Sequence, residues 1–128
     1  ADKRAVRLRP DDYRAWDLLL GMDSYNLSNM RRIFGGDPER RMYRLLDYSA
    51  HPRDIADPWY TGDFDATYAD VCEGCGALLE HLLALPGLDG RGGGADRQID
   101  VAYAADDPAA NEGYLVMKRS RGELGSPR

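Results

Sequence analysis

Several features that mark other protein classes are scarce or missing in this 128-residue sequence. Only two cysteines are present, too few and too close together for a disulfide framework, which suits a reducing compartment. No apolar run approaches the roughly 20 residues that span a bilayer, and the polar start Ala1–Arg4 has no hydrophobic signal segment behind it. We therefore expect a cytoplasmic protein with no membrane partner.

An excess of basic residues is also missing. The formal net charge is -5, and the arginines are scattered among acidic residues. Nucleic-acid-binding modules carry a clustered basic surface, so DNA or RNA binding is not expected. The length suits one domain that can bury an ordinary core if most of it folds. Because residue 1 is Ala rather than Met, we expect a processed chain or a fragment.

The first third of the chain predicts a strand followed by a helix. A short helix over Pro10–Trp16 precedes the continuous apolar run Leu18–Met22, which is typical of a parallel strand covered on both faces. Asp23 or Ser24 can cap the next helix, whose apolar positions recur at helical spacing until Gly35–Gly36. This βα unit indicates an α/β fold.

The middle of the chain carries a candidate functional loop. A second strand is predicted over Tyr43–Tyr48, and the loop after it contains the run Asp57-Pro58-Trp59-Tyr60 before a long helix from about Asp63 to Leu85. Because a residue before proline is pushed toward extended backbone, we expect Asp57 to hold its carboxylate away from its own backbone, where it can face a substrate. The alternative is that Asp-Pro only caps the next element.

The long helix carries a broad apolar stripe that includes both cysteines. Core packing is the better interpretation of Cys72 and Cys75, because free cysteine behaves as a small hydrophobe. A metal site is the weaker alternative: His81 lies about 180° around the helix from Cys72, so no metal is expected. His51 and His81 are expected to be exposed or helix-face residues, with no partner in the sequence that would make either a base. The whole stripe consists of Phe64, Tyr68, Val71, Cys72, Cys75, Leu78, Leu79, Leu82 and Leu83.

The composition changes beyond Pro86, where Gly, Asp, Ala and Arg dominate. Gly90–Gly94 is typical of a flexible linker. We expect residues 1–86 to form the folded domain and residues 87–128 to be a Gly-rich linker with a mostly disordered tail. The alternative is that two runs of β-type composition, Ile99–Tyr103 and Tyr114–Met117, pair with another strand.

Several motifs follow one another in a specific order. They are Leu18-Leu-Leu-Gly-Met-Asp23 with the following Ser-Tyr-Asn-Leu27, then Leu45-Leu46-Asp47-Tyr48, then Asp57-Pro-Trp-Tyr60, then the helix Phe64–Leu83. In this order the chain resembles the C-terminal half of a low-molecular-weight protein-tyrosine phosphatase, over about residues 4–85. The resemblance implies a partial doubly wound α/β domain with a parallel sheet and a site at the carboxyl ends of the strands.

The resemblance also implies roles for individual residues. Asp57 matches the family's general acid, which protonates the phenolic oxygen leaving a phosphotyrosine and then acts as base for the hydrolytic water. The tyrosine hydroxyl has a pKa of about 10, so a tyrosinate leaves slowly unless it receives a proton as the bond breaks. Such proton transfer typically raises the reaction rate by about 100-fold to 10,000-fold. Trp59 and Tyr60 match paired aromatics that wall the pocket and stack on the substrate ring. We interpret Asp23 and Asn26 as structural caps.

The family's nucleophile is missing from this sequence. The family uses a cysteine thiolate in a Cys-X5-Arg loop that cradles the phosphate, whereas Leu78 stands six positions after Cys72 and His81 six after Cys75. The loop would precede Ala1. A complete protein is expected to hydrolyse phosphotyrosine proteins or small phosphomonoesters without a cofactor, and this truncated chain is expected to be inactive alone. The alternative is a non-catalytic remnant or binding module that keeps the pocket wall.

The family's opening strand, which would also precede Ala1, lies inside its sheet. Without it, the strand Leu18–Met22 would have an open apolar edge, through which the chain could self-associate. That edge could instead be covered if a strand from the C-terminal region paired with it, either Ile99–Tyr103 or Tyr114–Met117. The linker Gly90–Gly94 would allow such a strand to reach the edge.

Overall fold

The computed structural model describes residues 6–85, 99–105, 114–119, 124, 126 and 127. Within these residues, none of the helices is long and apolar enough to cross a bilayer. The elements in chain order are β1 (Val6–Arg7), α1 (Asp12–Ala15), β2 (Leu18–Gly21), α2 (Ser24–Phe34), β3 (Met42–Arg44), a 3-10 helix (Leu45–Tyr48), α3 (Pro58–Thr61), α4 (Phe64–Leu83), β4 (Ile99–Ala105) and β5 (Tyr114–Arg119).

The strands form a single sheet in the order β1-β4-β5-β2-β3. The pairs β2–β3 and β1–β4 are parallel, whereas β5 is antiparallel to both of its neighbours. The parallel β2-α2-β3 unit confirms the α/β class expected from the sequence, within a sheet that is mixed as a whole.

β2 is buried on both faces, as the apolar run predicted. The side chains of Leu18, Leu19 and Leu20 are at most 2% exposed. Leu18 and Leu20 pack in the core on the α4 side, and Leu19 packs on the other face with residues of α1, α2 and β3. Because successive strand residues point to opposite faces, both faces must be covered for this run to be buried.

β5 pairs with the edge of β2 that was expected to be open. Leu18 lies opposite Met117 and Leu20 opposite Leu115, and the N–H of Asp17 donates to the carbonyl of Met117 at 2.8 Å. The Met117 side chain is 5% exposed and belongs to the same core cluster as Leu18. The strand pairing proposed from the sequence is therefore present, and β5 covers the edge of β2 that was expected to promote self-association.

Two segments of the region expected to have little order are thus strands. β4 and β5 form an antiparallel pair from Ile99 opposite Arg119 to Ala104 opposite Tyr114. This is the alternative that the sequence left open for these two runs. The predicted linker Gly90–Gly94 lies outside the described residues.

Two elements of the first half are shorter than predicted. The first helix is Asp12–Ala15 rather than Pro10–Trp16. The strand expected over Tyr43–Tyr48 ends at Arg44, where a 3-10 helix begins. The strand ends there because the Asp47 carboxylate accepts hydrogen bonds from the backbone N–H of Arg44 at 2.8 Å and from its guanidinium at 3.0 Å, which folds the chain into a turn.

α4 packs against the rest of the core through a narrower face than predicted. Its buried residues are Gly74, Leu78 and Leu82. Gly74 lies so close to Leu45 that a Cβ atom there would be 2.6 Å from the Leu45 Cγ. This contact fixes the rotation of the helix, so the prediction that both cysteines are core residues is wrong. Six apolar residues, called here the outer stripe, are exposed: Phe64, Tyr68, Cys72, Cys75, Leu79 and Leu83.

The Gly74 contact predicts opposite effects for two alanine substitutions in α4. Glycine costs a helix about 1 kcal/mol relative to alanine, and a Cβ at Gly76 would meet no atom within 4 Å. We expect Gly76→Ala to raise the free energy of unfolding by about 0.5–1 kcal/mol. Gly74→Ala should lower it by about 1–3 kcal/mol because of the clash with Leu45. Urea denaturation measures both, and equal stabilisation by the two changes would contradict the close contact.

The pairing of β5 with β2 predicts that Met117 supports the core. We expect Met117→Ala to lower the free energy of unfolding by about 2–5 kcal/mol, as for other buried side chains truncated to alanine. Val101 on β4 is 54% exposed, so Val101→Ala should change stability by no more than about 0.5 kcal/mol. Thermal denaturation that finds the two variants equally stable would show that β5 does not close the β2 edge.

Candidate active site

The carboxyl end of β2 opens onto two concavities that share Asp23 and Asp57. The smaller has a volume of about 200 Å³ and is lined largely by apolar side chains, among them Ile55, Trp59 and Val71. The larger has a volume of about 490 Å³. Binding sites of open α/β sheets lie at this edge. The loop carrying Asp57 therefore borders a space that a small ligand can enter.

Asp57 caps α3 with one oxygen of its carboxylate. Its backbone is extended, with φ -74° and ψ 117°, as expected before a proline. However, Oδ1 accepts a hydrogen bond from the N–H of Trp59 at 2.9 Å. The expectation that the side chain stays away from its own backbone is therefore wrong, because extended backbone is also the usual conformation of an N-cap residue. Among the residues the structure describes, no other donor contacts this carboxylate.

The two aromatic residues after Pro58 lie on different sides of Asp57. Trp59 lines the smaller cavity and Tyr60 the larger one. Both rings are open to solvent, with 73% and 90% exposure. The Trp59 ring meets Phe64 edge-on, with centroids 5.5 Å apart. Both rings can contact a ligand, but they do not wall a single cavity between them.

Asp54 fixes the loop that leads to Asp57. Its Oδ1 accepts hydrogen bonds from the N–H and the hydroxyl of Ser24 at 2.9 and 2.8 Å and from the Arg44 guanidinium at 2.9 Å. Burial alone would raise the pKa of Asp54, but the hydrogen bonds from Arg44 and Ser24 outweigh it and hold the pKa below its ordinary value. An ionised Asp54 thus ties the loop to the start of α2 and the end of β3.

Two further hydrogen bonds fix the residues directly before Asp57. The N–H of Ile55 donates to the carbonyl of Met22 at 2.9 Å, and the Thr67 hydroxyl donates to the carbonyl of Ala56 at 2.9 Å. The backbone that presents Asp57 is therefore held by β2 on one side and by α4 on the other. Such fixation favours catalysis, because a positioned acid loses little freedom when it reacts.

Arg53 connects the beginning of this loop to α4. Its guanidinium donates to Asp70 at 2.8 Å and to both carboxylate oxygens of Glu73 at 2.9 and 3.0 Å. This bidentate hydrogen bonding favours the ionised form of the Glu73 carboxylate. Hydrogen bonds from Arg53 and then Ser49 lower the pKa of Glu73 to about 2. The guanidinium of Arg53 is thereby tied to acids on α4, and its Nη1 also donates to the carbonyl of His51 at 2.8 Å.

Asp23 and Asn26 cap α2, as interpreted from the sequence. Asp23 Oδ1 accepts from the N–H of Asn26 at 2.8 Å, and Asn26 Oδ1 accepts from the N–H groups of Met22 and Asp23 at 2.8 and 3.3 Å. A Cβ on Gly21 would lie 2.6 Å from the Asn26 Cβ, so this turn needs glycine. Sequence reasoning missed that Asp23 also lines both cavities. Its place directly after a buried strand was the available signal.

Among the residues that the structure describes, no basic side chain lines either cavity. Arg44 and Arg53, which lie near the loop, are already paired with acidic residues. A bound phosphate dianion needs cationic or N–H donors, whereas the charged residues here are the carboxylates Asp23 and Asp57. No group of three or more His, Cys, Asp or Glu within the described ranges could hold a metal ion. The arrangement can supply a carboxyl group and aromatic rings, but not charge compensation for phosphate.

Neither histidine lines the two cavities. His51 is exposed, as expected. His81 is a residue of α4, as expected, and its Nε2 lies 2.7 Å from the carbonyl oxygen of Leu124, while its ring meets Tyr48 at 4.9 Å. Because a carbonyl only accepts, His81 donates from Nε2 in this contact. It ties the end of α4 to the C-terminal segment.

The chain is similar to one family of known proteins. The family model "Low molecular weight phosphotyrosine protein phosphatase" matches residues 1–85. The chain is 31% identical over 80 residues to the low molecular weight protein-tyrosine-phosphatase YfkJ of Bacillus subtilis, covering 61% of this chain and 51% of that protein. It is 28% identical over 75 residues to the low molecular weight protein-tyrosine-phosphatase PtpA of Staphylococcus epidermidis, covering 58% and 47%.

A solved structure supports the same relationship. The crystal structure of YfkJ from Bacillus subtilis superposes with a TM-score of 0.54 at 30% identity, over 59% of this chain and 48% of that chain. The chain therefore spans about half the length of the relatives it matches.

The contact between Glu73 and Arg53 predicts that the stability of the fold depends on pH in the acidic range. Because the pKa of Glu73 falls to about 2 in the folded protein, its ionised form stabilises the fold above the ordinary carboxyl pKa of about 4.3, and this contribution is lost as the pH falls toward 2. We expect Glu73→Gln to lower the melting temperature at neutral pH, with a difference from the unaltered protein that shrinks between about pH 5 and pH 2.

Glu80→Gln is the matched control, because Glu80 is on the same helix and makes no ion pair with a described residue. Its melting temperature should follow that of the unaltered protein across the pH range. A deficit of Glu73→Gln that stays constant with pH would show that the ion pair does not cause the effect.

Proposed function

Because the chain belongs to the low molecular weight phosphotyrosine protein phosphatase family, we propose that it carries the acid-bearing wall of a site that hydrolyses phosphotyrosine. Asp57 is the general acid, and Trp59 and Tyr60 contact the substrate ring. The position of Asp57 supports this most: it borders both cavities at the carboxyl end of β2 on a fixed loop.

The hydrogen bond to Trp59 gives the two oxygens of Asp57 different tasks. Oδ1 accepts from the Trp59 N–H, so Oδ2 is the oxygen that carries the proton. As the thiolate of a Cys-X5-Arg loop from outside this sequence forms a bond to phosphorus, the bond between phosphorus and the phenolic oxygen breaks. The proton on Oδ2 passes to the leaving oxygen, and the phenol departs neutral. The resulting carboxylate then accepts a proton from the water that attacks the phosphoenzyme.

The 128-residue chain supports only part of this reaction. Its sequence holds no Cys-X5-Arg loop, and no basic side chain of a described residue borders the cavities. We propose that a phosphotyrosine protein or a small phosphomonoester is hydrolysed only when such a loop completes the site, without a metal or organic cofactor. A cytoplasmic location stays a prediction.

The pairing of β5 with β2 favours a second candidate, a non-catalytic binding module. The chain fills the edge of β2 with its own strand, at the place where the resemblance puts the family's opening strand. A chain folded in this way keeps the ring-contacting wall without the missing half. To complete an active site, that half would have to displace β5, so the two candidates compete for the same edge.

A chimera tests the role of Asp57. Joining the part of YfkJ that lies outside the match, where the resemblance implies the Cys-X5-Arg loop, to this chain should give hydrolysis of p-nitrophenyl phosphate and of a phosphotyrosine peptide. In the chimera, Asp57→Asn should lower kcat for the peptide by about 100-fold to 10,000-fold, because tyrosine is a poor leaving group without a proton. Asp65→Asn, an exposed change on the first turn of α4, is the control and should leave kcat unchanged.

The same assay on the 128-residue chain supplies the baseline, which we expect to be indistinguishable from buffer. Turnover by this chain that Asp57→Asn abolishes would mean that another residue supplies the nucleophile. An active chimera whose kcat Asp57→Asn leaves unchanged would contradict the acid role. A folded but inactive chimera would favour the binding module.

A further inference from the structure

The larger cavity beside Asp57 contains a side chain, Tyr25, that the proposed function leaves without a role. Asp23, Tyr60 and Thr61 complete its lining, and its volume is about 490 Å³, which is in the range of cavities that hold ligands. Tyr25 lies on the first turn of α2 and Tyr60 on α3. Their side chains are 61% and 90% exposed, so two aromatic rings from different helices are open to a ligand here.

The charge that described residues bring to the larger cavity is negative. It comes from Asp23 and Asp57, and neither forms an ion pair with a described residue. Asp23 accepts a hydrogen bond from the N–H of Asn26 through Oδ1, whereas its Oδ2 has no donor among the described residues. Because Asp57 is protonated when it acts as the acid, the lasting negative charge of this cavity comes from Asp23.

The position of the larger cavity suits the substrate residue next to the phosphotyrosine. Asp57 borders both cavities, and the smaller one has the apolar lining that suits the phenolic ring. Consecutive Cα atoms of a peptide are about 3.8 Å apart, and their side chains point to opposite sides when the peptide is extended. With the ring in the smaller cavity, the neighbouring side chain therefore extends toward the larger one.

Resting on the proposed function, we propose that the larger cavity is a specificity subsite for a basic substrate residue, Arg in preference to Lys, next to the phosphotyrosine. Asp23 accepts hydrogen bonds from the guanidinium, and the Tyr25 ring stacks on its face. Arginine suits both contacts, because its planar cation stacks on aromatic rings and presents several N–H donors, whereas the lysine ammonium is a compact point charge.

Charge distinguishes this side chain from the alternatives. An apolar side chain would also contact the two rings, but it would leave the Asp23 carboxylate without a partner. A carboxylate or a second phosphate would be repelled by Asp23. The proposal therefore predicts that the charge of the neighbouring residue, rather than its size, decides the preference.

Four small peptides test the proposal on the 128-residue chain. Two place arginine directly after or directly before a tyrosine, with blocked ends, and in the other two citrulline replaces arginine, which keeps the planar shape and removes the charge. The tyrosine is not phosphorylated, because no basic side chain of a described residue borders the cavities. In amide NMR titrations, at least one arginine peptide should shift the signals of Tyr25 and Thr61. It should bind about 3-fold to 10-fold more tightly than its citrulline counterpart, with a difference that shrinks as salt is raised.

Substitutions identify the residues that cause the preference. Asp23→Asn should abolish it, because asparagine caps a helix as well as aspartate does but carries no charge. Tyr25→Ser should weaken binding of the arginine peptide by about 3-fold or more. Asp65→Asn and Tyr68→Ser are the matched controls, at exposed residues of α4 that line neither cavity, and they should leave the preference unchanged. The amide spectrum of each variant verifies that it folds.

Three results would overturn the proposal. The first is equal binding of the arginine and citrulline peptides in both orders. The second is a preference for arginine that Asp23→Asn and Tyr25→Ser both leave in place, and the third is the absence of shifts at Tyr25 and Thr61 with all four peptides. The test needs no turnover, so its failure is distinct from that of the acid role, which the chimera measures through the kcat of Asp57→Asn.

Discussion

The fold depends on β2 having a hydrogen-bonded neighbour on each of its edges. Its three leucines are buried on both faces, so its backbone N–H and C=O groups have no access to water and must pair within the sheet. β3 provides one neighbour and the antiparallel β5 the other. With both edges paired, the two core clusters form on opposite faces and the carboxyl end of β2 opens onto the loop of Asp57.

The candidate site combines a well-fixed acid with a missing counter-charge. The loop around Asp57 is bonded to β2, α2 and α4, which suits a residue that delivers a proton to a defined atom. The formal charges that described residues bring to both cavities are nevertheless negative, from Asp23 and Asp57. Under the proposed function, the chain supplies the proton donor and the ring contacts, while phosphate binding depends on the Cys-X5-Arg loop that its sequence does not contain.

Local signals in the sequence predicted much of this arrangement. The apolar run of β2, the Asp23 cap and the extended backbone of Asp57 before proline each depend on a few neighbouring residues, and each is as expected. Contacts between distant residues were not predictable from such signals. The Gly74–Leu45 contact turned both cysteines outward, and the choice of β5 rather than β4 as the neighbour of β2 depends on packing of Met117 in the core. The carboxylate of Asp57 caps α3 through a hydrogen bond that its extended backbone permits.

The central claim is that this chain presents a ring-binding wall beside an acid, without a site for phosphate. The most direct test is the amide spectrum of the isotope-labelled 128-residue chain, recorded with phenol and, separately, with inorganic phosphate at equal concentration. We predict that phenol shifts the amide signals of Trp59, Tyr60 and Thr67, and that phosphate leaves them in place. Phosphate-induced shifts at these residues as large as those caused by phenol would contradict the account.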